Sequence, residues 1–132
     1  MKIKMKIKKK IQNKIIKQTK KGFRGYPVGT VAYYGPDNQR ASKVAVGIIK
    51  FEGADVVMQR YYTETTDARI DEKLTDEIMN YLRSNGVVSV AAIAKILGCP
   101  HEEEIDYPKG ETCHQCPYWA DKDRWAGIEE EL

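Results

Sequence analysis

The chain has 132 residues, 42% hydrophobic and 31% charged, enough for one domain with a modest core. It offers no apolar run of roughly eighteen residues to cross a membrane. The basic N-terminus also lacks the apolar segment and small-residue cleavage site of a secretory signal, so a cytoplasmic address is expected, where cysteines stay reduced. The three cysteines, an odd number, argue against a disulfide framework.

The net charge of +3 conceals an asymmetry. Residues 1–24 hold eleven of the 22 Lys and Arg and no acid, so all 19 Asp and Glu follow them. Residues 1–8 alternate Lys with Ile or Met, while Ile11, Ile15 and Ile16 have helical spacing; neither period is sustained. Three readings stay open for this segment: a polycation that grips phosphates and orders on contact, a disordered solvated arm, or A/T-rich codons translated upstream of the true start. The expected division is a disordered arm over 1–24 and a single domain over 25–132.

The folded body is expected to begin near Tyr26-Pro27. Val28–Tyr34 is rich in β-branched and aromatic residues, and Gly35-Pro36-Asp37-Asn38 is a turn. Lys43–Phe51 is short and apolar on both faces, as in a central strand, and Val56–Tyr62 alternates as a third. Short connections favour an antiparallel meander. A helix follows, with Thr65, Thr66 and Asp67 as candidate caps. Ile70, Leu74, Ile78 and Leu82 form one apolar stripe, and Ser84-Asn85-Gly86 ends it.

Residues 87–97, V-V-S-V-A-A-I-A-K-I-L, fit two templates. A buried strand over Val87–Ala92 is one. The other is a second helix capped by Ser89, which would make residues 70–98 a helix-turn-helix. The strand is favoured, because the segment after Gly98 carries four acids and stops at Pro108, and phosphates would repel such a recognition helix. Asp121–Glu131 has the composition of a last acidic helix, with Trp125 as its large apolar anchor.

All three cysteines and both histidines lie within residues 98–119. Cys113-x-x-Cys116 has the spacing of a chelating zinc pair, and Cys99-Pro100-His101 forms a tighter one. Cys99, His101, Cys113 and Cys116 together make Cys3His, a closed set for structural zinc, with His114 in reserve. An iron–sulfur cluster uses the same ligand types. A redox dithiol at Cys113 and Cys116 is disfavoured because no strand-to-helix junction accompanies the motif. His101-x-Glu103 with Cys-x-x-Cys also resembles the ligand pattern of zinc deaminases. The eleven residues between the pairs leave no room for that fold's intervening strand, and Cys99 would fill the position that a reactive water needs. If the site were catalytic, Glu102 or Glu103 would be its general base. Otherwise Glu102, Glu103, Glu104 and Asp106 form a solvated face, and Tyr107, Tyr118 and Trp119 pack the loop against the sheet.

The stretches Y-P-V-G-T-V-A-Y-Y-G-P-D at 26–37, E-G-A-D at 52–55, G-C-P-H-E-E, I-D-Y-P and C-x-x-C-P-Y-W resemble an uncharacterised family of small bacterial proteins. The resemblance spans 26–125 and leaves out the basic arm. It implies no activity and no catalytic residues. The sequence therefore leads to an α+β domain: a three-stranded antiparallel meander, an amphipathic helix, a further strand and a zinc-stabilised C-terminal loop. Its expected role is that of a small zinc-binding accessory module that contacts protein or nucleic acid and is not an enzyme. The alternatives are a zinc-dependent hydrolase with an open metal position and a helix-turn-helix regulator.

Overall fold

Three short runs rich in β-branched and apolar residues along 28–62 form three strands of one sheet. The computed structural model describes residues 11–111 and 113–120. Its elements are α1 (Lys14–Thr19), β1 (Val28–Tyr34), β2 (Lys43–Ile49), β3 (Val57–Tyr62), α2 (Glu72–Ser84), β4 (Ser89–Ile96) and a short 3-10 turn (Pro117–Trp119). The fold is α+β, and the sheet order is β3-β2-β1-β4. β1, β2 and β3 form the antiparallel meander, whereas β4 pairs parallel to β1. Helix α2 connects the two outer strands, a crossover long enough to return the chain in the same direction as β1.

One face of the sheet carries the core. Val31 and Tyr33 of β1 stand opposite Val46 and Val44 of β2. These four join Ile48, Leu74, Ile78, Met79, Leu82 and Ile96 in a single buried cluster. The spacing of Leu74, Ile78 and Leu82 places them on one stripe of α2, as the sequence predicts. Gly29 admits that stripe closely: a Cβ there would lie 2.7 Å from Leu82 Cδ2. Past the C-terminus of α2, Gly86 has φ +70°, a left-handed conformation that suits the residue after a helix.

Several expectations are corrected. The helix begins later than Thr65–Asp67 suggests. Asp71 is its N-cap, accepting from Leu74 N at 3.0 Å, and Ile70 lies outside the stripe and is exposed. Asp67 instead pairs with Arg69 and accepts from Ala41 N and Arg69 N. Burial raises the Asp67 carboxyl, but the hydrogen bonds from Arg69 and Ala41 outweigh it and hold the group below its ordinary value.

Residues 89–96 are strand, so the second helix of a helix-turn-helix does not form. The strand is half-buried and runs four residues past the expected Ala92, with a register shift against β1 beyond Val31.

Part of the segment expected to be a disordered arm is helical. Asn13 caps α1 by accepting from Ile16 N at 2.8 Å, and Ile15 is fully buried in the core. A six-residue helix has no stability alone. Tertiary contacts hold this one: Asn13 Nδ2 donates to Arg69 O at 2.7 Å, and Lys14 pairs with Asp76 at 2.7 Å. The arm's Lys/Ile alternation over 1–8, the acidic segment 121–131 and Trp125 lie outside the described residues.

Candidate metal centre

β1 and β4 run parallel, so both deliver their C-terminal ends to one place. There Gly35 N donates to Gly98 O at 2.8 Å, and Leu97 N to Tyr33 O at 2.8 Å. The next residue is Cys99, so the first ligand leaves directly from the sheet. Gly35 O accepts from Trp119 Nε1 at 2.8 Å, which ties down the far end of the loop. Gly35 is tightly enclosed, since a Cβ on it would fall 2.0 Å from Arg40 O.

The side chains of Cys99, His101, Cys113 and Cys116 converge, with their ligand atoms all within 4.8 Å of one another. His101 Nδ1 lies 3.2, 3.3 and 3.5 Å from the sulfurs of Cys99, Cys113 and Cys116. One ring nitrogen carries at most one proton, so it cannot hydrogen-bond three thiols through donation. A common cation explains the arrangement better. A tetrahedral zinc with bonds of about 2.3 Å to sulfur and about 2.05 Å to nitrogen separates S from N by about 3.5 Å. The donor set and its spacing therefore fit one metal ion.

The two chelating pairs share a local device. His101 N donates to Cys99 Sγ at 3.2 Å, and Gln115 N donates to Cys113 Sγ at 3.4 Å. In each pair the amide two residues on supports the sulfur, spreading the charge that a bound thiolate carries. Burial pushes the Cys99 thiol up to about 12 and also raises Cys116. A cation reverses that penalty, because it stabilises the thiolate directly. The three cysteines, with Tyr107 and Trp119 against them, form a small cluster of their own. Trp119 also packs against the main core and so joins the two.

The sequence reading missed how the loop is anchored. Lys43, in the central strand β2, is nearly fully buried. Its Nζ donates to Glu102 Oε2 and, at 2.8 Å, to Pro100 O. The ammonium lies 5.8 and 6.0 Å from the ring centroids of Tyr34 and Tyr62. Arg60 of β3 grips the same carboxylate with two bonds, at 2.6 and 3.0 Å. Hydrogen bonds from Arg60 and then Lys43 depress the Glu102 carboxyl to about 2. Glu102 is thus a fastening point and not part of a solvated face. The one signal for it was a lysine inside a run expected to be buried, since such a charge needs a partner.

These contacts also bear on catalysis. A carboxylate held near 2 by two cations is a weak general base at neutral pH. Glu103 borders the small cavity beside the three cysteines, and its Oε2 accepts from Gly110 N at 2.6 Å. Asp106 accepts from Glu102 N at 2.7 Å and closes the 102–106 turn, where Glu104 takes a positive φ of 73°. His114, the reserve ligand, is exposed and pairs with Glu111 at 3.2 Å.

The geometry defines a small α+β protein whose C-terminal loop is positioned to bind a metal ion through three cysteines and one histidine. Comparison with protein-family models, with curated proteins and with solved structures finds no match.

Proposed function

We propose that this protein is a small zinc-binding accessory module, in which the metal fastens the 98–119 loop to the C-terminal ends of β1 and β4. The convergence of four ligand atoms within 4.8 Å carries this reading. Thiolate-rich tetrahedral sets favour zinc among abundant divalent ions. An iron–sulfur cluster interposes several atoms between its ligands and would hold them further apart. With four protein ligands the coordination shell is closed, which supports a structural role over the hydrolase reading. The polyanion-binding reading of the basic segment has its support in charge alone. It requires binding that weakens steeply with salt.

Elemental analysis of the purified chain tests the metal assignment. One zinc per chain is expected, falling to well below one in Cys113→Ser and staying at one in His114→Ala. A metal-free native chain, or a His114→Ala variant that loses its metal, contradicts the proposed ligand set.

A further inference from the structure

The two edges of the sheet are treated differently. At the β4 edge, α1 packs against the strand, and Arg69 Nη1 donates to Ala94 O at 2.9 Å. β3 forms the other edge. Thr63 N donates to Ser42 O, the residue directly opposite it in the β2–β3 register. Hydrogen-bonded pairs alternate along an antiparallel ladder, so Val57, Gln59 and Tyr61 also turn their backbone groups toward β2. Met58, Arg60 and Tyr62 therefore turn theirs outward, where no strand among the described residues pairs with them. This edge lacks the usual protections of lysine, proline or a bulge. Instead Val56, Val57, Met58 and Tyr62 are 41% to 65% exposed.

We propose that β3 pairs antiparallel with β3 of a second copy of this chain, forming a symmetric dimer with one continuous sheet. The strand's own sequence selects both the occupant and the register. A two-fold pairing must set outward residues against outward residues, so the axis passes through a residue position and not between two. Registers that keep most of the strand paired centre on Met58, Gln59 or Arg60. Centring on Arg60 places that guanidinium opposite its own copy, a like-charge pair. Centring on Met58 sets Arg60 opposite Val56 and Tyr62 opposite Ala54, both outside the strand. Centring on Gln59 keeps more of β3 paired, with Val57 opposite Tyr61 and Met58 opposite Arg60. The first is a β-branched–aromatic pair, which favours strand association. In the second, Arg60 meets no like charge, and its own charge is already matched by Glu102. Each pair occurs twice in the dimer.

The test is sedimentation equilibrium of the full chain as purified, with two substitutions at one outward, exposed position. Met58→Lys opposes Arg60 twice per dimer and is expected to raise the dissociation constant at least about tenfold. Met58→Asp faces Arg60 with the opposite charge and is expected to bind more tightly than Met58→Lys. Gln59→Cys is expected to form a disulfide between the two introduced thiols of the dimer on mild oxidation, read by peptide mass. A non-hydrogen-bonded antiparallel pair brings the Cα atoms within about 4.5 Å, inside the disulfide range. A native chain that stays monomeric at all concentrations overturns the proposal. So does equal association of the two Met58 variants, or a dimer in which Gln59→Cys does not cross-link.

Discussion

The sheet-and-helix body and the 98–119 loop are held together by different forces. The body buries Val31, Tyr33, Val44, Val46, Ile48, Ile78 and Leu82 in one cluster, and its cohesion scales with apolar area removed from water. The loop's own buried cluster consists of three cysteines, with Tyr107 and Trp119 against it. Its cohesion comes from polar fastenings: the Lys43–Glu102–Arg60 triad, the Trp119–Gly35 hydrogen bond and the shared metal position. A segment without an apolar core folds when a ligand converts its donor atoms into a cross-link, and metal binding then becomes folding energy. The body needs no such ion, so the two regions should respond separately to insults aimed at each.

Chelation should produce the largest separation. Structural zinc contributes on the order of 10 kcal/mol to small zinc-dependent folds. Stripping the metal is therefore expected to abolish amide protection across residues 99–118, while β1, β2 and α2 keep theirs. Hydrogen exchange read by mass spectrometry distinguishes this from global unfolding, which would erase the contrast. Ile78→Ala attacks the other region. Ile78 is 1% exposed at the centre of the α2 stripe, and its truncation should cost about 2–5 kcal/mol in denaturant unfolding. The folded variant should still carry one metal per chain; loss of the metal would mean that the two regions are tightly coupled.

A smaller effect should come from acid. The Asp67 carboxyl lies below its ordinary value in the folded chain. A depressed carboxyl contributes stability that is present above its unfolded value, about 3.9, and is lost as pH falls through the folded value. Asp67→Asn should therefore be less stable than the native chain at neutral pH, by about 1–3 kcal/mol for a hydrogen-bonded charged group. The gap should close as pH drops below about 4. Equal pH dependence in both proteins would remove Asp67 from the account.

The body was more legible in the sequence than the loop's attachments. β1 follows Val28–Tyr34 as expected, because β-branched and aromatic residues report a strand locally. The α2 stripe was equally local. The helix start was misplaced because Asp67 resembles a cap, while Arg69, two residues on, captures it in an ion pair. The parallel pairing of β4 with β1 depends on the crossover that α2 makes, which no local pattern encodes. Ile15 looked like part of a charged arm. It is buried in a helix whose cap, Asn13, reaches Arg69 fifty-six residues away.

The four candidate ligands lie within eighteen consecutive residues, so their types and spacing were readable directly. The groups that anchor them were not, because Glu102 meets Arg60 and Lys43 at separations of 42 and 59 residues. Charge runs give no indication of which carboxylate will find a distant cation, and here Glu102 does so while Glu103 and Glu104 stay exposed.

X-ray absorption at the zinc edge of the native chain tests the central claim most directly. Three sulfur ligands at about 2.3 Å and one nitrogen at about 2.05 Å are predicted, with no oxygen in the shell. Two sulfurs with nitrogen and a water oxygen would contradict the account, because Cys99 would then leave the fourth position to solvent.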